Sequence, residues 1–299
     1  MTFEKLLSEK LDIQYLYLYK YALKASRRYK VYQIKKRTGG MRTIHHPAVE
    51  LKVYQRFLVQ NIFSSFPVHN KVFSYKENTS IRDLALLHVN NRFLLRIDFK
   101  DFFPSIKSEN IRDFLKNNHH KLECNLTEKD ITIINMLVCR KKELTIGAPS
   151  SPILSNILLY DFDLVLNKMF GDSIVYSRYA DDLYFSTNVP NILTNIPRQI
   201  EEFLLTYYIK LKINHDKTIF TSKKHKRVIT GLTITTDNTI SIGREKKQYI
   251  KGLMYKFKNK QIQESDLIYL KGYLSFIKSV DMTFFNLLEK KYGMDILYS

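Results

Sequence analysis

The chain has 299 residues, enough to bury a large core, and its 44% apolar and 26% charged residues lie near the averages of folded proteins, which excludes a disordered chain. Its 48 Lys and Arg against 29 Asp and Glu leave a formal net charge of +19. That excess points to a polyanionic partner, most simply nucleic acid, whose phosphates pair with Lys and Arg.

At the N-terminus Phe3, Leu6, Leu7 and Leu11 recur at spacings of three and four, which predicts helix across residues 3 to 28. Glu4, Lys5, Glu9, Lys10 and Asp12 interrupt every apolar run there, so neither a signal peptide nor a spanning segment is expected, and no membrane partner. "VYQIKKRTGGMRTIHHP" reads as two short strands around a Thr38-Gly39-Gly40 turn. "VELKVYQRFLVQNIFSSF" returns to helical periodicity. "RFLLRIDFKDFFPSI" begins as a buried strand and is expected to turn at Pro104, after which Ser108 offers an N-cap for "ENIRDFLKNN". In "IGAPSSPILSNILLYDFDLVLNKMFG" a loop with Pro149 and Pro152 precedes one helix, with Ile153, Ile157, Tyr160 and Leu164 on a common face and Asp161 and Asp163 at its surface. "DSIVYSRYADDLYFSTNV" gives two strands with little between them, and from Gly243 onward the periodicity is helical in three segments. No linker divides the chain, so interleaved subdomains are expected over residues 1–242, with a helical appendage over 243–299. Cys124 and Cys139 are too few and too far apart for a CxxC metal site or a disulfide framework, and read as reduced thiols of a cytoplasmic protein.

Two like charges, Asp181 and Asp182, stand together in the apolar "YSRYADDLYFS". Adjacent buried carboxylates repel unless a cation neutralises them. Side chains alternate across a strand, so the pair can serve one site only from the tip of a hairpin. Asp98, at the end of "FLLRI", is the third candidate. Three carboxylates at strand ends and turns suit Mg²⁺, and two such ions clamp the attacking and leaving oxygens of a phosphoryl transfer. Taken alone an Asp-Asp pair is most often a solvated turn; combination and order decide.

"RIDFKDFFPSI", "GAPSSPILSN" and "YADD", followed by "LKINHDKT" and "VITGLTI", resemble the palm motifs of reverse transcriptases in family order. The resemblance runs from about residue 30 to the end and implies an α+β right-hand polymerase: fingers, a palm of antiparallel sheet packed on helices, and a small helical thumb. It implies catalysis by Asp98, Asp181 and Asp182 and two Mg²⁺ ions held by them with the main-chain carbonyl of Phe99. Phe103 takes the place of the bulky gate beneath the incoming sugar, where an aromatic ring excludes a 2′-OH and favours dNTPs. Lys36 and Arg42, or their neighbours Lys35 and Arg37, are expected to converge on the triphosphate. Gly147 and Ala148 belong to the nucleotide loop, where Ile146 replaces the usual Gln and its hydrogen bond is lost. Lys217 stands where the family has a lysine near the leaving pyrophosphate.

The compact C-terminus most closely resembles the bacterial retron branch. "LALLH" keeps Ala85 and His88 of a retron element but has Leu84 for Asn, and Ile229, Thr230 and Gly231 match its VTG triplet with a conservative first residue. This resemblance implies a structured noncoding RNA as template and primer, priming from a guanosine 2′-OH to give branched RNA and single-stranded DNA, and phage defence beside an effector protein. RNA contacts are expected at His88, Ile229, Thr230 and Gly231, and along Lys246, Lys247, Lys251, Lys256 and Lys258 of the thumb. For the lysines a solvated helix face, and for His88 a structural role, stay open. Another small reverse transcriptase, of group II intron-like or diversity-generating type, and an inactive RNA-binding protein of polymerase fold are the alternatives.

Overall fold

The structure, a computed structural model, describes residues 1–35 and 39–293. The N-terminal stretch forms two helices, α1 (Phe3–Leu11) and α2 (Tyr15–Ala22), rather than one. The Thr2 side chain caps α1 by accepting from the Lys5 N–H, and Asp12, left-handed at φ 52°, ends it. Strands β1 (Tyr29–Lys35) and β2 (Met41–Pro47) then pair in register from Tyr29↔Pro47 to Lys35↔Met41. Most of this hairpin is exposed, so it projects from the body.

Helix α3 (Val49–Asn61) buries Leu51, Tyr54, Phe57 and Leu58; α4 (Ile81–His88) opens on a capping box made by Ser80 and Asp83. Strand β3 (Phe93–Asp98) leads into the short α5 (Phe102–Ser105). The chain therefore turns before Pro104, at left-handed Asp101, and Pro104 sits within the helix. In α6 (Ser108–Asn118) the cap is Asn110, whose side chain accepts from the Lys107 N–H, and Ser108 lies inside the helix. After α7 (Glu128–Val138) come two helices, α8 (Ser151–Leu158) and α9 (Tyr160–Met169), where one was expected. Their buried stripe is Leu154, Leu158, Phe162 and Leu166; of the expected face only Ile157 is buried.

Strands β4 (Val175–Tyr179) and β5 (Asp182–Thr187), helix α10 (Ile196–Thr206) and strand β6 (Ile219–Ser222) complete an antiparallel sheet of order β4-β5-β3-β6. A smaller sheet of β7 (Arg227–Ile229), β8 (Leu232–Ile234) and β9 (Ile240–Ser241) precedes three helices, α11 (Arg244–Lys258), α12 (Glu264–Val280) and α13 (Met282–Tyr292).

Period-2 alternation along the larger sheet separates two cores. Leu95, Ile97, Leu183 and Phe185 face the N-terminal helices and α6 to α10. Leu94 and Tyr184, on the opposite face, share a second core with α4, β7 to β9 and the three C-terminal helices. Buried Asp281 knits that core: it pairs with Lys247 at 2.8 Å and accepts from the N–H groups of Ile242 and Phe284. The second face is covered only over part of its length, and its uncovered end carries the site. Among the described residues no helix is long and apolar enough to cross a membrane. Both cysteines are free and buried, and burial pushes the Cys139 thiol up to about 12.

His88 pins α4 to the sheet. Its ring nitrogens meet Ser186 Oγ at 2.7 Å and Ser177 Oγ at 2.6 Å, and burial pushes its pKa down to about 3. A histidine depressed on folding contributes stability that is complete above its ordinary pKa near 6.5 and is lost as pH falls towards 3, because only the unfolded chain takes up the proton. Urea unfolding between pH 7.5 and 4.5 will show wild type losing up to about 1.4 kcal/mol per pH unit relative to His88→Gln below pH 6.5. The variant itself will be about 1–3 kcal/mol less stable at pH 7.5.

Candidate active site

The site is built on the β4–β5 hairpin, whose turn consists of Ala180, left-handed at φ 56°, and Asp181. A non-glycine residue held there costs of order 1–3 kcal/mol unless its surroundings dictate it. Here they do. The Ala180 N–H donates to Ser74 Oγ at 2.8 Å, and its carbonyl accepts from Arg178 at 3.2 Å. Arg178 is fully buried and makes a two-pronged pair with Asp163 at 2.8 and 2.7 Å. Asp163, expected at the surface, is thus a core residue: it lies on the inner side of α9 as the counter-ion of Arg178 and also accepts from Tyr176. Asn156 joins the network, accepting from Arg178 and donating to the Ser74 carbonyl.

Register sets the carboxylates. Asp98 and Asp182 are direct partners across β3 and β5, a cross-strand placement of like charges that is destabilising by itself. The Phe99 N–H donates to the Asp181 carbonyl at 3.1 Å and so ties the end of β3 to the turn. Desolvation raises the pKa of Asp181, helped by the charge of Asp98. It raises that of Asp182 to about 6, with Asp181 and Asp98 pushing further up and Arg96 pulling down. The chain supplies its own cations. Lys217 Nζ stands 3.1 and 3.2 Å from the Asp98 carboxylate, and Asn214 adds a side-chain bond of 3.1 Å. Arg96 pairs with Asp182 at 2.9 Å, and Tyr184 donates to Asp182 at 3.3 Å. Hard carboxylate oxygens suit a Mg²⁺-like ion. Among the described residues, however, no three acidic, His or Cys side chains close into a ready-made cage.

Two adjoining cavities of about 550 and 450 Å³ share Arg42, Asp181 and Lys217. The first also contains Asp98, Asp182, Arg96 and Lys35; the second contains Phe99, Phe103, Ile146 and Tyr75. Arg42 pairs across the hairpin with Ile34, and Lys36 lies outside the described residues. Phe102 is in the core, whereas Phe103 is only partly buried and lines the cavity. Gly147, at φ 109°, lies where an added Cβ would come within 2.8 Å of the His45 carbonyl, so it lets the loop close against β2; Ala148 beside it is buried.

The family model for reverse transcriptase, described as RNA-dependent DNA polymerase, matches residues 34–234. Over 91% of its length the chain is 34% identical to the retron Ec83 reverse transcriptase of Escherichia coli, covering 89% of that protein. It is 31% identical to the retron Ec73 enzyme of the same organism, over 89% of this chain and 88% of that one. The chain belongs to the retron reverse transcriptases. The fold agrees: apo telomerase from Candida tropicalis superposes with a TM-score of 0.53 at 12% identity, over 90% of this chain and 57% of that one. This reverse transcriptase is an RNA-directed DNA polymerase of α+β right-hand architecture, and its partners are nucleic acids.

Two retron-type positions of the reverse transcriptase do not reach solvent. His88 is 1% exposed and in this structure cannot touch RNA; it is the structural histidine of α4. Ile229 is fully buried. Thr230, left-handed at φ 45°, donates its N–H to the Tyr184 hydroxyl at 3.2 Å, which in turn donates to Asp182, and exposed Gly231 completes the turn. Lys247 is tied to Asp281 and lies with Lys251 over the Phe284 ring, while Lys246 sits among Tyr249, Tyr269 and Tyr273. Arg96 escaped the sequence reading, although its position two residues before Asp98 on the same strand face signals it. Tyr75, an aromatic residue at φ 54° in the second cavity, carries no such sequence signal.

Removing one partner of the buried pair strands the other. Arg178→Met will cost about 3–5 kcal/mol in urea unfolding, and the double variant Arg178→Met/Asp163→Leu will recover part of that loss.

Proposed function

We propose that this chain is a retron enzyme that copies a cognate structured noncoding RNA into single-stranded DNA, starting from a guanosine 2′-OH of that RNA and leaving a branched RNA–DNA product. Residues 1–242 act as fingers and palm and 243–299 as thumb, and the element works in phage defence beside an effector protein. The observation that carries the chemistry is the meeting of Asp98, Asp181 and Asp182 in one cleft, with Phe103 on one wall and the basic β1–β2 hairpin on another. The priming reaction and the defence role rest on kinship with the retron enzymes along nearly the whole chain.

Asp98, Asp181 and Asp182, with the Phe99 carbonyl, would hold two Mg²⁺ ions. When bound, these neutralise the carboxylates and stabilise charge on the attacking and leaving oxygens. The primer hydroxyl attacks the α-phosphorus of a dNTP in line with the departing pyrophosphate. Arg42 and Lys35 face the triphosphate from the hairpin. Lys217, paired with Asp98, is positioned to offer its ammonium to the leaving group once a cation takes its place. Phe103 bars a ribose 2′-OH. Ile146 presents an apolar surface where a hydrogen-bonding Gln would sit, so nucleotide placement there depends on shape.

Three measurements test this. Asp182→Asn will lower primer extension by at least about 10³-fold, the several kcal/mol that metal-held charge is worth, while retaining binding to template–primer. Phe103→Val will raise ribonucleotide incorporation relative to deoxyribonucleotide by roughly 10–100-fold. Nucleic acid that copurifies with the chain should contain a 2′,5′-branched RNA–DNA species. Unbranched cDNA alone would overturn the priming reaction and leave the polymerase intact.

A further inference from the structure

The first face of the palm sheet is covered by helices over β4, β5 and β3 but not over the edge strand β6. Phe220, directly opposite buried Leu95, remains 50% exposed. It borders a separate cavity of about 270 Å³ with Phe93, Leu193, Asn191, Thr194 and His225. This cavity lies at the start of β3, five residues from Asp98 and hence about 17 Å along the strand from the catalytic end.

Ser222 and His225 of the cavity lining lead into a strongly basic turn. The β6–β7 turn reads Lys223, Lys224, His225, Lys226, Arg227, and Arg92 lies beside it, its carbonyl accepting from the Lys223 N–H. Arg227 deepens the positive field from below. Its guanidinium is buried, donates to the carbonyls of Asn91 and Thr235, and has no carboxylate partner among the described residues. A buried charge that no counter-ion cancels is retained at a cost, and here it adds to a concentration of like charge that a phosphate chain would offset.

We propose that this cleft is a second RNA site, separate from the polymerase channel, which takes an unpaired base against Phe220 and Phe93 while the 223–226 turn holds the flanking phosphates. Aromatic rings accept any base by stacking, and the polar rim of Asn191, Thr194 and His225 supplies hydrogen-bond partners for base edges or a 2′-OH. A docking protein would also meet apolar surface here, but so basic an adjoining turn fits a polyanion better. The site gives the enzyme a hold on its RNA outside the segment being copied. It goes beyond the proposed template role and does not depend on branched priming.

The test fills the polymerase channel first, with a template–primer duplex whose primer is chain-terminated and with the next dNTP; primer extension with an unblocked primer verifies that channel independently. Binding of a fluorescent 12-nucleotide oligouridylate to this filled complex is then measured by anisotropy at several salt concentrations. Wild type should bind it. Lys224→Glu/Lys226→Glu should bind about tenfold or more weakly, with the salt slope reduced by about 0.7 per lysine, and primer extension should be unchanged. Phe220→Ala should weaken binding without altering the slope, and Phe220→Tyr should restore it. If the filled wild-type complex does not bind the oligonucleotide, or the lysine reversals leave its affinity unchanged, the site is not an RNA site. A protein that copurifies with wild type and is lost in Phe220→Ala while oligouridylate binding persists would likewise overturn the proposal.

Discussion

The buried pair of Arg178 and Asp163 is the interaction on which the site depends. An arginine without solvent is tolerated only when its donors are occupied, and Arg178 spends them on Asp163, Asn156 and the Ala180 carbonyl. This holds the β4–β5 turn in a backbone conformation that an alanine would otherwise avoid, and it binds the turn to α8, α9 and the Ser74 segment. Rigid placement of Asp181 therefore comes from a charge pair deep in the palm and not from the turn residues themselves.

A second constraint follows from strand register. Pairing Asp98 against Asp182 brings two carboxylates together where the sheet face is uncovered, and two of the cations nearby are committed to them: Lys217 to one and Arg96 to the other. The net charge of +19 is thus not spread evenly in purpose. A few cations balance the aspartates at the end of the sheet, and others such as Lys247 hold the helical C-terminus together.

The elements were legible because period-2 and period-3.6 patterns are local properties, and the order of motifs picked out the three aspartates that the structure brings into one cleft. The helix breaks at Asp12 and Leu159 were not, since they depend on single residues leaving helical geometry within an otherwise helical pattern. Asp163 was misread for a related reason. A carboxylate on a helix is usually solvated, and only the tertiary structure reveals an arginine waiting behind it. His88 and Lys247 show the same limit in reverse: their residue types suit RNA, yet serine hydroxyls and Asp281 already occupy them.

The contact between β2 and the nucleotide loop joins two parts of the cleft. His45 donates its N–H to the Ile146 carbonyl at 2.8 Å, and the missing Cβ of Gly147 is what permits that approach. The projecting hairpin is held at its base and by this backbone bond, so any swing of the hairpin towards a substrate carries the loop with it. Hairpin and loop therefore behave as one unit, and a side chain at residue 147 would push them apart.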